Sequence, residues 1–351
     1  MEIFIKTLKS ISWDVPESTY REDPALSQST LGRYDREGFS HLDSLFDKLE
    51  TPSLTFGSCV DSIITGGMEE FNERFLVADY KMPSDAVAKI VKNLFDKWHL
   101  TCRTIHSITD EAINEETILA NYGQNWRLAT RVEDIRKKGN EYYDALQASQ
   151  DKVVIDNNTY NDALRAVDAL KTSSATSFYF QANNPFEPDW FREYQLKFKH
   201  TFDNVDYRGM LDLCLTSHKD KIIYPIDLKT SGKAEWDFYK SFIEFGYSHQ
   251  ARLYYRLLEA AIKEDDFYKD YKIANYRFIV VNRKTLTPLV WEYPDTKKYG
   301  LLTYGKNKQI EIKDPFTLGK ELNHYLTVKP KVPNNIDMLG ENNLNAWLNE
   351  M

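Results

Sequence analysis

A run of strand-like segments that begins after Trp190 constrains the fold more than any other feature of this chain. Residues 194–199 alternate polar and apolar side chains with a period of two, which is typical of a half-buried strand. Further strands are predicted at 208–215, 221–228, 276–282 and 288–293. A long helix is predicted at 238–263, between the third and fourth of these strands. Strands joined through a helix predict a mixed α/β core in the C-terminal half.

Helical periodicity dominates the N-terminal half. Residues 85–98 carry apolar side chains on one face, and residues 133–147 and 159–171 have similar patterns. The 351 residues are enough to bury a sizeable core. We therefore predict an α/β (α+β) fold with a mixed central sheet flanked by helices and a large helical N-terminal half.

Charge and cysteine content exclude several classes of site. A net charge of −8 argues against non-specific coating of nucleic acid, which depends on Lys and Arg neutralising phosphates. A local basic channel or a metal site is compatible with that charge. The cysteines Cys59, Cys102 and Cys214 are far apart, so a zinc or iron–sulfur site built from them alone is not expected. We expect a cytoplasmic protein without a membrane span, because neither a signal-peptide pattern nor an apolar stretch of about 18 residues occurs.

The candidate catalytic motif is an acidic residue, any residue and then Lys. About two such tripeptides are expected by chance in a chain of this length, so the motif alone is weak. The chain contains Asp79-Tyr80-Lys81, Asp227-Leu228-Lys229, Asp270-Tyr271-Lys272, Asp295-Thr296-Lys297 and Glu311-Ile312-Lys313. The motif at Asp227 closes an apolar, strand-like run, and this context selects it from the others.

The strand context gives this motif a chemical meaning. In a strand, Asp227 and Lys229 project on one face, and Leu228 projects on the other face into the core. Asp212 ends the preceding predicted strand, and a hairpin can bring it beside Asp227. Two carboxylates and the carbonyl of Leu228 form a hard oxygen site suited to Mg²⁺ or Mn²⁺. A metal there would polarise a phosphodiester and activate water, while Lys229 would orient or help deprotonate that water and offset negative charge. The alternative is a surface salt bridge at a strand end.

Three segments together resemble the PD-(D/E)XK nuclease superfamily, whose fold is restriction-endonuclease-like. They are 209–212 (Gly-Met-Leu-Asp), 225–231 (Pro-Ile-Asp-Leu-Lys-Thr-Ser) and 245–254 (Phe-Gly-Tyr-Ser-His-Gln-Ala-Arg-Leu-Tyr). The resemblance is strongest to the RecE-type (exodeoxyribonuclease VIII) and phage lambda-exonuclease-like branch. In that branch Asp-x-Lys-Thr is followed by a helix bearing Gly-Tyr-x-x-Gln-x-x-x-Tyr. Gly246, Tyr247, Gln250 and Tyr254 stand at that spacing.

The resemblance also extends upstream. Residues 56–64 resemble the branch's Gly-Ser/Thr-x-x-His helix, but Asp61 stands where His is frequent. A carboxylate ligates Mg²⁺ at least as well as imidazole does, so Asp61 is the candidate metal ligand from this helix; a solvated helix residue is the alternative. Glu193 is a further candidate for the metal site.

The resemblance implies a Mg²⁺-dependent deoxyribonuclease, with Mn²⁺ as a substitute, and an exonuclease rather than an endonuclease. It implies that Gln250 supports the catalytic site and that Tyr254 packs near DNA. The implied domain is the whole chain, 1–351, with the core at 25–80 and 190–295. Residues 83–185 would be a helical insertion, and residues 315–351 a C-terminal helical segment. DNA recombination, end resection or repair, as in phages, is the implied setting, with a single-strand annealing recombination protein and a ring-shaped homo-oligomer as candidate partners.

Two other classes of function compete with this hypothesis. A catalytically inactive nuclease fold could serve as a DNA-binding or assembly module, but such proteins usually lose an acidic residue or the lysine, and Asp212, Asp227 and Lys229 are all present. A small-molecule enzyme of another α/β fold is disfavoured, since no Gly-rich phosphate loop or Gly-x-Ser-x-Gly turn occurs.

For a nuclease we expect a basic lining of the cleft from Lys229, Lys233, Arg252 and Arg256.

Overall fold

The computed structural model describes residues 6–47, 51–150, 152–184, 189–294, 300–304 and 308–328. The chain forms two compact units, one of Met1–Thr51 with Asp168–Met351 and the other of Pro52–Val167. The prediction of a single nuclease domain with an inserted helical segment stays a prediction. Across the described ranges, every helix is too short or too polar to cross a bilayer.

Within the described residues, helices predominate before Trp190 and most strands follow it. The helices are α1 (Glu17–Glu22), α2 (Gln28–Glu37), α3 (Pro52–Thr65), α4 (Gly67–Arg74), α5 (Asp85–Trp98), α6 (Asp110–Leu119), α7 (Leu128–Ala148), α8 (Asn157–Thr172), α9 (Phe238–Glu244), α10 (Tyr247–Lys263) and α11 (Pro315–Val328). The strands are β1 (Phe75–Ala78), β2 (Val153–Asp156), β3 (Trp190–Phe202), β4 (Val205–Ser217), β5 (Ile222–Ser231), β6 (Lys272–Ile273), β7 (Tyr276–Asn282), β8 (Pro288–Tyr293), β9 (Gly300–Tyr304) and β10 (Lys308–Ile312).

The central sheet is mixed, with the strand order β3-β4-β5-β7-β8 and β6 paired to β5. Strands β3, β4 and β5 form an antiparallel meander, and β5 pairs with β7 in parallel. Asp203 and Asn204 both adopt positive φ at the β3–β4 turn, the conformation that a tight two-residue hairpin requires. The mixed sheet flanked by helices confirms the predicted α/β fold class.

Apolar packing fixes α10 and α11 against this sheet. Leu253 and Leu257 of α10 share one core cluster with Tyr207 and Leu211 of β4. A Cβ added at Gly319 of α11 would lie 2.6 Å from the Tyr207 ring, so the glycine allows the helix to approach the strand closely. The helix that follows the catalytic motif is thereby held in one position over the sheet.

The Pro52–Val167 unit has its own core. Helices α5, α6 and α7 bury an apolar cluster that includes Ile90, Leu94 and Ile135. Gly139 of α7 lies against Val91 of α5, where a larger residue would overlap the valine side chain. Strands β1 and β2 pair in parallel within the same unit. This cluster explains the strong helical periodicity of the segment.

Several sequence predictions differ from the structure in detail. The helix predicted at 238–263 is two helices, because Gly246 adopts a left-handed conformation at φ 61° and ends the first helix. The short strands β1 and β2 and the hairpin β9–β10 were not predicted, since each is too short for a clear alternation. Of the C-terminal segment predicted helical at 315–351, α11 is described, and residues 329–351 lie outside the described residues.

Candidate active site

Asp212 and Asp227 lie side by side on neighbouring strands. In the β4–β5 register Leu213 pairs with Ile226, which sets Asp212 opposite Asp227. The Asp212 carboxylate accepts a hydrogen bond of 2.8 Å from the backbone N–H of Leu228. The antiparallel pairing of two strands thus brings together two carboxylates that are distant in sequence.

The Asp227 carboxylate is almost excluded from solvent and is bound by two side chains. It is 1% exposed. The Lys229 ammonium forms an ion pair with Oδ2, and the Gln250 side-chain amide donates a hydrogen bond to Oδ1. A buried carboxylate is stable only when it is paired and hydrogen-bonded. Lys229 and Gln250 therefore stabilise the charged carboxylate of Asp227 in its buried position.

Lys229 is a cation held in place by its surroundings. Burial favours its neutral form, but the Asp227 carboxylate, with Tyr247 and Asp212, outweighs burial and raises the pKa of Lys229 above its ordinary value. Its ammonium also lies 4.9 Å from the centre of the Tyr247 ring, within the range of a cation–π contact. Lys229 therefore supplies a positive charge next to the two carboxylates rather than a neutral base.

Leu228 departs from its expected environment. Its side chain is half-buried, not part of the core. Its backbone N–H is bonded to Asp212, as described above. The proposed role of its carbonyl as a metal ligand stays a prediction.

Gln250 and Tyr254 reach the site from α10. They are one helical turn apart and share the face of the helix that packs on β4 and β5. The Tyr254 ring covers Gly209, where an added Cβ would lie 2.6 Å from the ring carbons. Burial, reinforced by Tyr20 and the negative charges of Asp227 and Asp212, raises the pKa of Tyr254 well above its ordinary value. Tyr254 is therefore a neutral hydroxyl within electrostatic range of both carboxylates.

Gln195 is a candidate site residue that was not predicted from the sequence. It lies opposite Asp212 in the β3–β4 register, between the pairs Tyr194↔Leu213 and Leu196↔Leu211. Its φ is 52°, a conformation that costs a non-glycine residue free energy. A strained backbone is frequent at functional sites, so its place beside Asp212 makes Gln195 a candidate site residue. The signal in the sequence was its place across a predicted hairpin from Asp212.

Glu193, the further candidate for the metal site, is hydrogen-bonded to the N-terminal segment. Its two carboxylate oxygens accept hydrogen bonds of 2.8 Å from the backbone N–H groups of Leu8 and Lys9. These contacts begin the short 3₁₀ helix Leu8–Ile11 and tie it to β3. Glu193 is therefore a cap for the N-terminal segment.

The predicted basic lining is wrong for two of its members. Arg252 is buried and donates a hydrogen bond of 2.9 Å to the Tyr293 hydroxyl. Arg256 forms an ion pair of 3.4 Å with Glu259. The helical period places positions 252 and 256 on the opposite face of α10 from Gln250 and Tyr254. Lys233 forms an ion pair with Glu244, so of the four cations Lys229 alone contacts a candidate carboxylate.

The donor set suits a hard divalent cation, although it is incomplete within the described residues. No group of three or more His, Cys, Asp and Glu side chains is placed to hold a metal ion in the part of the chain that the structure describes. Asp212 and Asp227 supply two carboxylates, and Asp227 Oδ2 accepts no hydrogen bond beside its ion pair. Asp61 lies half-buried in α3, in the other compact unit, and stays a predicted ligand. Carboxylate oxygens of this kind fit Mg²⁺ or Mn²⁺.

Comparison with known proteins adds little. No family model and no curated protein matches the chain. A crystal structure from Eubacterium rectale described as a "Putative exonuclease" superposes with a TM-score of 0.39 at 10% sequence identity. The match covers 80% of this chain and 75% of the other. A likeness of this degree carries no argument about activity, so the site geometry must carry it.

Proposed function

We propose that this protein is a metal-dependent deoxyribonuclease that acts as an exonuclease in DNA end resection or recombination. The supporting observation is the cluster around Asp227, which unites a second carboxylate, an ammonium and a side-chain amide from two strands and one helix. Such a cluster suits hydrolysis of a phosphodiester, whose transition state gains negative charge beside the reacting phosphorus. The sequence resemblance supports DNA as the substrate.

Asp212 and Asp227, with the carbonyl of Leu228, would hold Mg²⁺ or Mn²⁺, and Asp61 is the proposed further ligand. A bound ion of this kind polarises the phosphate and lowers the pKa of a coordinated water. Lys229 would stabilise negative charge on the phosphate oxygens and orient the attacking water.

Gln250 and Tyr254 would position the reacting groups. The Gln250 amide fixes the rotation of the Asp227 carboxylate, because its N–H bond to Oδ1 leaves Oδ2 for Lys229 or a cation. Tyr254 closes the site over Gly209 and presents a hydroxyl that stays protonated. Both residues restrict the positions of the side chains around the reacting atoms. Reacting groups that are held in position react faster.

The proposal is tested by digestion of end-labelled linear duplex and covalently closed circular DNA with Mg²⁺. Asp227→Ala and Lys229→Ala should each lower the cleavage rate by about 100-fold or more, as loss of an electrostatic stabiliser does. Arg256→Ala is the matched control, because Arg256 lies on the far face of α10. Equal rates in all four proteins would reject the nuclease assignment. Cleavage of the closed circle would change it from exonuclease to endonuclease.

A further inference from the structure

Three exposed aromatic rings lie within ten residues of one another on the segment that directly follows the Asp-x-Lys strand. Trp236, Tyr239 and Phe245 are 78%, 37% and 42% exposed. We call these three residues the aromatic platform. Helix α9 buries Phe238 and Phe242 in the core beneath the platform. The inward face of the helix is therefore filled by other rings, and Trp236, Tyr239 and Phe245 lie outside the core cluster.

One member of the platform, Phe245, lies next to the candidate active site. The Phe245 ring centre lies 5.8 Å from that of Tyr247. Tyr247 in turn lies 4.9 Å from the Lys229 ammonium, which pairs with Asp227. One ring therefore separates the exposed Phe245 from the charged centre of the site.

Hydrogen bonds from the end of β7 hold this segment in place. The Asn282 side chain donates a bond of 2.7 Å to the carbonyl of Lys233. The Thr285 hydroxyl donates a bond of 2.5 Å to the Glu235 carboxylate. A surface fixed in this way loses little conformational entropy when a ligand binds to it.

The segment that carries the platform has no net positive charge of its own with which to attract a phosphate backbone. Lys233 pairs with Glu244, and Lys240 pairs with Asp237 at 2.7 Å. Glu235 is the remaining charged residue of the segment. Residues 233–245 therefore contain two lysines and three carboxylates, a net charge of −1. Ionic attraction to DNA phosphates is correspondingly weak here. Residues 233–245 therefore offer exposed rings, and no net positive charge of their own, to a nucleic acid.

We propose that the aromatic platform binds the unpaired bases of single-stranded DNA that enters the site. This rests on the proposed function for the identity of the ligand. Every base has a π-face, so stacking on exposed rings is tolerant of sequence. A duplex hides those faces between its base pairs, so the platform selects an unpaired strand. The substrate class at this side of the site is therefore single-stranded DNA or a duplex end with an unpaired tail.

Fluorescence anisotropy of a labelled 20-nucleotide thymidine strand and of a blunt hairpin duplex, both without metal, tests the proposal. Trp236→Ala and Phe245→Ala should each weaken binding of the single strand about tenfold, within the range for loss of one stacked base. Binding of the duplex should change less than twofold. The slope of affinity against salt concentration should stay the same, because no ionic contact is removed.

Matched controls separate stacking from general damage. Trp126→Ala removes an exposed tryptophan, 44% exposed, from the other compact unit and should leave binding unchanged. Thermal unfolding followed by circular dichroism checks that each variant is folded. Wild-type affinity in both platform variants, or an equal loss on single strand and duplex, would overturn the proposal.

Failure of this inference is distinguishable from failure of the proposed function. If the protein cleaves DNA and its platform variants bind single strands normally, only the proposed role of the platform is overturned. Single-strand binding that depends on the platform, without cleavage in Mg²⁺ or Mn²⁺, would overturn the nuclease assignment alone and leave a DNA-binding module.

Discussion

At the scale of single residues, the site is organised by the cost of burying Asp227. An isolated buried carboxylate is expensive, and its two oxygens are here divided between the Lys229 ammonium and the Gln250 amide. Removing one partner of such a group costs more than the pair itself contributes, because the other charge is left uncompensated. Stability and activity are therefore coupled at these three residues.

Gln250→Ala should lower both the stability and the activity of the protein. The substitution leaves Asp227 Oδ1 without its donor, which costs about 1–3 kcal/mol of unfolding free energy. The cleavage rate should fall about 10-fold or more, since the carboxylate loses its fixed rotation. Urea unfolding and the end-labelled digestion measure the two effects. Gln147→Ala is the control on an exposed helical glutamine, and a similar effect there would contradict the assigned role.

Glu193→Gln should affect stability without affecting catalysis. A glutamine has one acceptor oxygen where Glu193 uses two, so one N–H of Leu8 or Lys9 loses its partner. The loss should be about 1–2 kcal/mol in urea unfolding, as for loss of a helix cap. Cleavage below the unfolding transition should keep its wild-type rate. A changed dependence on Mg²⁺ concentration would show instead that Glu193 reaches the metal.

At the scale of elements, Gly246 determines where α10 begins and so where its side chains point. Its left-handed conformation ends α9, and the His249 ring occupies the space next to its Cα. The pattern of apolar residues continues through this point, so the sequence predicted one helix instead of two. Strands β7 and β8 were predicted with the bounds that the structure has, because each is a short run rich in β-branched and aromatic residues.

Gly246→Ala should disturb the site through the position of the helix. An added Cβ would lie 2.9 Å from His249 Nδ1 and would hold an L residue in a left-handed conformation. We expect a loss of about 1–2 kcal/mol from the backbone conformation alone. Activity should also fall, since Gln250 would move relative to Asp227. Gly232→Ala is the control, because a Cβ at Gly232 meets nothing within 4 Å.

The element scale also explains what the sequence could not predict. The hairpin between β4 and β5 was predictable, and with it the approach of Asp212 to Asp227. The contact between Gln250 and Asp227 depends on the packing of α10 over the sheet, which no local pattern encodes. The strained backbone of Gln195 and the capping by Glu193 depend on partners far away in sequence. Arg252 and Arg256 were assigned to the cleft from their charge alone, and the helical period contradicts that assignment.

At the scale of the whole molecule, the chain is divided into two compact units. The Pro52–Val167 unit has a separate apolar core, and the central sheet with its carboxylates belongs to the other unit. Asp61 is the predicted ligand from the helical unit. Binding of Mg²⁺ by variants of Asp212 and Asp61 tests the predicted ligands of the two units separately.

Mg²⁺ should raise the midpoint of thermal unfolding of the wild-type protein in the absence of DNA. A ligand that binds only the folded state stabilises it by about 1.4 kcal/mol at ten times its Kd. For a protein of this size the midpoint should rise by about 2 °C.

Asp212→Asn should abolish the rise, because it removes a carboxylate from the site. If Asp61 is a ligand, Asp61→Asn should abolish it as well, while Asp79→Asn, an exposed acidic residue of the same unit, should not. A full Mg²⁺ response in Asp61→Asn would remove the helical unit from the metal site and confine the metal ligands to the unit of Met1–Thr51 and Asp168–Met351.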